Sequence, residues 1–313
     1  TSAFTFGNIS ASYNSSIGVL SLSSSGATAT LAQWQAAMRA VTYIDTAITP
    51  VTALRTVSFM VNDGVKSSAV SSRQVSVTAV DQTPIIVLTA TPVNYTLGSL
   101  SPLVVDSALT LSDSDNSTLA SATVAISGNF HSGEDVLAFT NSNAGLYGNI
   151  SASYNAGSGV MTLSSSGAPA TVAQWQAALQ AVTYQDTSSS PNTATRTIAF
   201  TVNDGTKNSV SMVRSLTMAL PVPTVGGLTT PTDTGSSHSD GITNDVTPTV
   251  TGTAQSSSTV TVWVDGSSVG TTTADGSGQW SYNLSGGVAE GTHNITATAT
   301  IGGVSSGFST GYQ

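Results

Sequence analysis

The chain has 313 residues, of which 7% carry a charge, against about 25% in an ordinary soluble domain. Seven Lys and Arg against sixteen Asp and Glu give a formal net charge of −9, which excludes the basic surface that nucleic-acid binding requires. No run of about 18 apolar residues is present, so no membrane insertion is expected. Cysteine is absent, which excludes disulfides, thiol catalysis and cysteine-based zinc sites.

The segment 1–80 returns later in the chain at one constant offset, which aligns Phe6 with Tyr147. The clearest matches are Phe6–Asn14 with Tyr147–Asn155, Trp34 with Trp175, Asp45 with Asp186, Arg55 with Arg196, and Val61–Gly64 with Val202–Gly205. One register held over about sixty positions identifies tandem copies of a single module. Residue 1 matches residue 142, so the first copy has no counterpart of residues 83–141, and we expect that half to lie upstream in a longer parent chain.

Three domains are predicted. Residues 1–82 are the C-terminal part of a repeat, residues 83–222 are a complete repeat, and residues 223–313 are a smaller module of different sequence. The segment Pro221–Pro223 forms the linker before the third module. Neighbouring repeats of the parent chain are the first expected partners, as in other tandem arrays.

The predicted elements are short strands with one short helix in each repeat. In chain order they are a helix at 29–40, strands at 55–61, 75–80, 108–111 and 122–126, a helix at 170–181, a strand at 196–202, and strands at 247–253, 259–264, 279–282 and 291–298. The strands alternate apolar and polar residues, whereas the helices carry apolar residues at helical spacing. The fold class is therefore all-β, a linear array of tandem β-sandwich modules, with Trp34 and Trp175 as core residues.

Catalytic chemistry has no visible basis in the sequence. His131, His238 and His293 lie at unrepeated positions, and no nucleophile–base motif or phosphate-binding loop is present. The chain is predicted not to be an enzyme. Asp45 with Arg55, and Asp186 with Arg196, recur at the same spacing, and we interpret both as structural ion pairs.

The acidic residues are the candidate ligands. Asp113 and Asp115 precede Asn116, Glu134 and Asp135 are adjacent, and Asp204 stands in an Asn-Asp-Gly sequence. Carboxylate and amide oxygens close together suit calcium. Asp, Asn and Gly are also the residues that tight turns require, so both interpretations stay open at this point.

The second copy resembles the cadherin-like repeats of giant bacterial surface proteins, and the third module resembles their bacterial Ig-like repeats. In the second copy the resemblance rests on 109–115, 132–141, 173–178, 182–184, Arg196 and 202–205. In the third module it rests on 233–235, 240–245, 247–254, 276–280 and 291–298. It implies secreted or surface adhesins, often exported by type I (RTX-type) secretion, in which calcium stiffens the modules and their junctions. The positions that match are Asp113, Asp115, Glu134, Asp135 and Asp204 in the second module and Asp233, Asp240 and Asp245 in the third. The junction between the two copies contains an acidic residue, Asp81, whereas the junction before the third module, Leu220–Pro223, contains none.

The expected function is a structural segment of a long extracellular adhesin or surface filament, giving reach, cell attachment and biofilm-type cohesion. One alternative is a carbohydrate-binding or accessory region of a larger secreted enzyme, with surface glycans as partners. Another is a self-assembling sheath or fibre subunit, joined to other copies by lateral packing or strand donation. Half a sandwich would leave Val57, Phe59 and Val61 facing water, so either upstream residues or a neighbouring subunit should complete the first module.

Overall fold

The computed structural model describes residues 3–167, 169–188 and 191–313 and divides the chain into two compact units, Thr1–Val80 and Asp81–Gln313. The first is called the N-terminal unit here. The second contains the full repeat, residues 81–220, followed by the third module, residues 221–313. Nearly all regular structure is strand, and the predicted fold class of tandem β-sandwich modules is confirmed.

The N-terminal unit has two separate antiparallel strand pairs, β1 with β2 and β3 with β4. Its elements are α1 (Ala3–Phe6), β1 (Ile9–Asn14), β2 (Val19–Ser24), α2 (Leu31–Arg39), β3 (Arg55–Phe59) and β4 (Ser71–Val75), with one 3-10 turn at Ser25–Ala27. None of the described side chains from 4 to 80 is buried. This unit therefore has local structure but no closed core.

The full repeat has one large sheet and two small ones. Its strands are β5 (Ile85–Val87), β6 (Val93–Thr96), β7 (Leu103–Val104), β8 (Thr110–Ser112), β9 (Ser121–Gly128), β10 (Asp135–Ala138), β11 (Ile150–Asn155), β12 (Val160–Ser165), β13 (Thr183–Asp186), β14 (Arg196–Asn203) and β15 (Met212–Ala219), and its helices are α3 (Ala144–Tyr147) and α4 (Val172–Gln180). The six-stranded sheet has the order β11-β12-β9-β14-β15-β6, and β6 and β15 are parallel. The smaller sheets are β10-β13-β7 and β5-β8.

Helix α4 closes the core of the full repeat from one side. The Thr171 side chain accepts from the backbone N–H of Gln174, and the Gln174 side chain accepts from that of Thr171, which forms a capping box at the first turn. Trp175 is fully buried, and its Nε1 donates to the carbonyl oxygen of Leu119 over 2.9 Å. The predicted helices at 170–181 and 29–40 are confirmed, with observed bounds Val172–Gln180 and Leu31–Arg39. Trp175 is a core residue, as predicted. The prediction that Trp34 is also a core residue is wrong, because the N-terminal unit has no closed core and leaves this ring half-buried.

The third module packs a three-stranded sheet against a four-stranded one. Its strands are β16 (Thr224–Leu228), β17 (Thr249–Thr253), β18 (Thr259–Val264), β19 (Ser267–Thr273), β20 (Gln279–Asn283), β21 (Ile295–Ile301) and β22 (Val304–Ser305), in sheets β16-β17-β20 and β19-β18-β21-β22. Gly252 lies where β17 passes Trp280, and a Cβ atom there would overlap both the indole ring and the carbonyl oxygen of Thr224. Glycine at this position allows the core around Trp280 to close.

The third module packs directly on the full repeat through apolar side chains. Leu220 is buried, and Ile301 and Val304 pack against the core of the repeat. Thr193 Oγ1 donates to the carbonyl oxygen of Gly302 over 3.1 Å. None of the helices in the described ranges has the length and apolar character needed to cross a membrane.

Candidate calcium sites and a buried ion cluster

Three loops of the full repeat meet through their polar side chains. The backbone N–H of Gln82 donates to Asp115 Oδ2 over 2.9 Å. Asp81 accepts from Asn116 Nδ2 over 3.4 Å and from Thr206 Oγ1 over 2.6 Å. The group is called the acidic loop cluster below, and it comprises Asp81, Asp113, Asp115, Asn116 and Asp204.

The acidic loop cluster contains carboxylate oxygens with no hydrogen-bond donor. Oδ2 of Asp113, Oδ1 of Asp115 and Oδ2 of Asp204 are shielded from solvent and have no partner among the described residues. The second oxygens of Asp113 and Asp204 accept from backbone N–H groups two and three residues further on, at 2.7–3.1 Å. A shielded carboxylate oxygen without a donor destabilises the fold. A divalent cation that prefers oxygen ligands would remove that cost.

The described residues do not assemble a metal site in the cluster. Over residues 3–167, 169–188 and 191–313, no group of three or more acidic or histidine side chains is arranged to hold a metal ion. An ion bound here would therefore need backbone, amide or water oxygens for most of the six to eight ligands that calcium takes. Burial raises the pKa of Asp204, but hydrogen bonds from Lys207 and Thr206 outweigh it and lower the pKa below its usual range. Asp204 is therefore held in the ionised form that a cation needs.

Glu134 and Asp135 are placed around Arg196 rather than in the acidic loop cluster. Arg196 is fully buried, and its Nε donates to both oxygens of Asp135 at 2.9 and 3.0 Å. Glu134 Oε2 lies 3.4 Å and Asp186 Oδ2 lies 3.7 Å from Nη2. These three carboxylates therefore surround the guanidinium of Arg196. The predicted ion pairs Asp186–Arg196 and Asp45–Arg55 are both present, the second at 2.8 Å.

Asp135 is the main hydrogen-bond partner of Arg196, and the repeat pattern did not predict this role. It also accepts from the Tyr184 hydroxyl and from the backbone N–H of His131. Burial raises the pKa of the Tyr184 hydroxyl, and the hydrogen bond to Asp135 raises it further. Burial also raises the pKa of Asp186, whose Oδ2 has no hydrogen-bond donor. The segment around Asp135 occurs once in the sequence, so the repeat gave no signal for its pairing with Arg196.

The third module holds a separate buried carboxylate. Asp233 is 1% exposed, its Oδ2 accepts from the backbone N–H of Gly241 over 3.3 Å, and its Oδ1 has no partner among the described residues. Asp240 is the neighbour of Gly241 and accepts from the N–H of Ile242. Asp245 instead accepts from the N–H and hydroxyl of Thr247. Asp233 and Asp240 thus share one loop, and Asp245 supports the next turn.

The comparison with protein families covers the third module and the last residues of the full repeat. Residues 219–306 match the bacterial Ig-like domain family. The predicted Ig-like module is therefore confirmed for this part of the chain, and it is called the Ig-like module from here on. Domains of this family are structural modules. The cadherin-like character of the two repeats stays a prediction.

A search of curated proteins finds no match. Among solved structures, the BSP domain of a biofilm associated protein is 16% identical and covers 65% of this chain, with a TM-score of 0.23. A set of titin domains is 10% identical, covers 78% of this chain and 69% of that chain, and has a TM-score of 0.25. The N-terminal Ig1-2 module of the Drosophila receptor protein tyrosine phosphatase DLAR is 9% identical, with a TM-score of 0.22. The match covers 73% of this chain and 97% of that chain. The chain spans 26% of the length of the first of these structures.

Proposed function

We propose that the chain is a load-bearing segment of a bacterial adhesin outside the cell, secreted or attached to the surface, whose modules give reach between the cell and its attachment point. The bacterial Ig-like domain at 219–306 and the tandem copies before it support this role. Repeated modules lengthen a molecule without adding chemistry. Attachment to surfaces and cohesion between cells are the activities that such reach would serve.

The pairing of β6 with β15 is the observation that carries the mechanical role. Four residue pairs, from Val93 with Leu216 to Thr96 with Ala219, run parallel. The ladder continues with the N–H of Leu97, which donates to the carbonyl oxygen of Ala219 over 2.9 Å. Tension that pulls β6 toward its N-terminal end and β15 toward its C-terminal end loads all these hydrogen bonds at the same time. A ladder sheared in this way resists more force than one opened bond by bond.

Calcium would add a second restraint to the same repeat. Asp81, Asp115 and Asp204 lie on three segments far apart in sequence and brought together by hydrogen bonds. A bound calcium ion would supply positive charge and oxygen coordination to these carboxylates. The residues of the acidic loop cluster would then tie the start of the repeat to the β14–β15 turn.

Pulling experiments on the full chain test the load-bearing role. The chain has no native cysteine, so paired substitutions define the direction of force. Thr91→Cys with Val222→Cys shears the β6–β15 ladder, whereas Thr91→Cys with Ser215→Cys peels it from one end. We expect a clearly higher unfolding force in the first geometry. Equal forces in the two geometries would contradict a mechanical role for this pairing.

Glycan binding receives less support from the structure. A sugar-binding face usually presents exposed aromatic rings, but Trp175 and Trp280 are buried and Trp34 and Trp263 are half-buried. Trp175 and Trp280 therefore serve the cores of their modules, and no indole ring among the described residues is fully exposed. A polysaccharide pull-down with the full chain distinguishes this role from the structural one.

A further inference from the structure

We propose that the full repeat and the Ig-like module are held in one fixed orientation by a rigid joint that needs no metal ion. The contact between them is called the module joint below. On the side of the repeat it comprises residues 96–99, 191–194 and 220–223, and on the side of the Ig-like module residues 253–255 and 299–304. The proposal does not depend on the adhesin role.

The linker of the module joint is short and conformationally restricted. Only residues 220–223 separate β15 from β16. Two of these four residues are prolines, whose rings fix the backbone angle φ. Leu220 and Val222 each precede a proline, which disfavours the helical region for them. Leu220 is also buried in the core of the repeat, so the linker has few conformations to choose from.

The cores of the two modules meet along β21. Ile295 and Ala297 belong to the core of the Ig-like module. Ala299 continues the same face of the strand and is fully buried, but it belongs to the core of the full repeat. Ala254 packs against both cores. Modules of one chain move relative to each other unless a large apolar interface holds them, and a strand shared by two cores provides such an interface.

The turn between β21 and β22 lies directly on the repeat. Ile301 and Val304 stand on either side of this turn and pack against the core of the repeat. The Thr193 hydroxyl donates to the carbonyl oxygen of Gly302 over 3.1 Å. A Cβ atom at Gly302 would overlap the side chain of Thr193. The backbone of the turn therefore approaches the repeat as closely as a glycine allows.

A second close approach lies in different loops of the module joint. A Cβ atom at Gly98, in the loop between β6 and β7, would stand 2.6 Å from Oε1 of Gln255. Gln255 belongs to the loop between β17 and β18, whereas Gly302 and Thr193 make the first contact elsewhere. Together with the linker, these contacts hold the two modules at three separate points. Rotation about the linker would break at least one of them.

The module joint has no acidic groups to which a metal ion could bind. The five segments that form it contain no acidic and no basic residue. Glu134 borders the joint, but its Oε2 accepts from the backbone N–H of Asn192 over 3.1 Å and lies 3.4 Å from Arg196 Nη2. Calcium takes most of its ligands from carboxylates and other oxygens. Packing therefore replaces metal coordination as the source of stiffness at this joint.

A distance distribution between the two modules of the full chain tests the proposal. The chain has no native cysteine, so Ser215→Cys in β15 and Thr271→Cys in β19 place one nitroxide on each module. Both side chains are exposed. Double electron–electron resonance should give a single narrow distribution, with the same width in calcium and in chelator.

Two neighbouring glycines provide a matched pair of variants. Gly302→Ala should broaden the distribution by about twofold or more, because the new Cβ atom pushes Thr193 away and opens the joint. Gly303→Ala should keep the width of the wild type. Both glycines have a positive φ, +55° and +83°, but a Cβ atom at Gly303 meets no described atom within 4 Å. The pair therefore matches the backbone strain and differs in the contact with the repeat.

A second pair decides the question if circular dichroism shows that Gly302→Ala does not fold. Val304→Asp puts a charge into the apolar joint and should broaden the distribution, whereas Val269→Asp, at an exposed position outside the joint, should not. Three results would overturn the proposal: a broad distribution in the wild type, a distribution that is narrow only in calcium, or wild-type width in both Gly302→Ala and Val304→Asp.

Discussion

Among single residues, Arg196 is the most constrained. Its guanidinium is fully buried beside three carboxylates and also donates to the carbonyl oxygen of Ala194 over 2.6 Å. Burial of a charge is costly unless partners and hydrogen bonds compensate it. Asp135 provides the closest compensation, whereas Asp186 stands further away.

The variants Asp135→Asn and Asp186→Asn should differ in stability. Asp135→Asn breaks a buried pair and should lower the free energy of unfolding by about 3–5 kcal/mol. Asp186→Asn should lower it much less, because Asp186 Oδ2 lies 3.7 Å from the guanidinium and makes no hydrogen bond. Urea denaturation followed by tryptophan fluorescence measures both. Equal losses would show that the two carboxylates share the charge of Arg196.

The cost of Asp186→Asn should also depend on pH. Burial raises the folded-state pKa of Asp186, so its contribution to stability is complete below the unfolded pKa and is lost as pH rises through the folded pKa. Asparagine does not ionise. The difference between wild type and variant should therefore shrink as the pH rises from about 4 toward neutrality, and a growing difference would contradict the shift.

His293 should titrate above the usual value for histidine. Its Nδ1 lies 2.7 Å from Asp265 Oδ2, and this hydrogen bond, with a second to the carbonyl oxygen of Ala289, raises the pKa above 6.5. The stabilisation is present below the unfolded pKa and is lost as pH rises through the folded pKa. NMR titration of the ring should show the shift, and Asp265→Asn should remove most of it.

At the residue scale, the sequence predicted the ion pairs but not the main partner of Arg196. Asp45–Arg55 and Asp186–Arg196 recur at one spacing, and repetition made them visible. Asp135 lies in the half that occurs once, and β10 meets β13 only in the folded sheet. The contact therefore depends on long-range pairing, which no local pattern records.

Among the elements, the helices were the most predictable and the pairing of strands the least. Helices α2 and α4 carry apolar residues at helical spacing after a Thr cap, and both form capping boxes. The helices α1 and α3 are single turns, too short for a periodic pattern. The parallel pairing of β6 with β15 was also not predicted, because alternation fixes which face is buried and not which strand is the neighbour.

Trp175→Phe and Trp34→Phe form a matched pair for the core. The first change removes the donor to the buried carbonyl oxygen of Leu119 and leaves space in a closed core, so it should cost about 2–3 kcal/mol of unfolding free energy. The second affects a half-buried ring without that partner and should cost well under about 1 kcal/mol. Thermal denaturation measured away from tryptophan emission, by far-ultraviolet circular dichroism, compares them. Equal costs would indicate that the N-terminal unit has a closed core.

Calcium should stabilise the full repeat by binding to the acidic loop cluster. At about a hundredfold excess over the dissociation constant, one site adds about 2.7 kcal/mol to the free energy of unfolding. Melting in calcium and in chelator measures the effect. Asp113→Asn with Asp115→Asn should remove most of it, whereas Asp63→Asn, at the counterpart of Asp204 in the N-terminal unit, should not. A full chain that melts identically in calcium and chelator rules the site out.

In the whole molecule, repetition determined what could be predicted. The constant offset between the two copies gave the order of the modules, and composition gave the change of module after Leu220. The acidic residues predicted as calcium ligands lie in different places in the fold, and their role as ligands stays a prediction. Asp113, Asp115 and Asp204 do lie in neighbouring loops, whereas Glu134 and Asp135 belong to Arg196. An acid in a turn has the same sequence signature whether its partner is a cation, a guanidinium or the backbone.

The pairing of β6 with β15 also affects how the repeat folds. Val93 and Leu216 are partners although most of the repeat lies between them in the chain, and closing so long a loop loses entropy before any contact compensates it. Proteins dominated by distant pairings fold slowly, in milliseconds to seconds. A polypeptide emerging from its amino end holds β6 unpaired until Ala219 has also emerged. The edge strand β6 can therefore complete the large sheet only after β15 is available to pair with it.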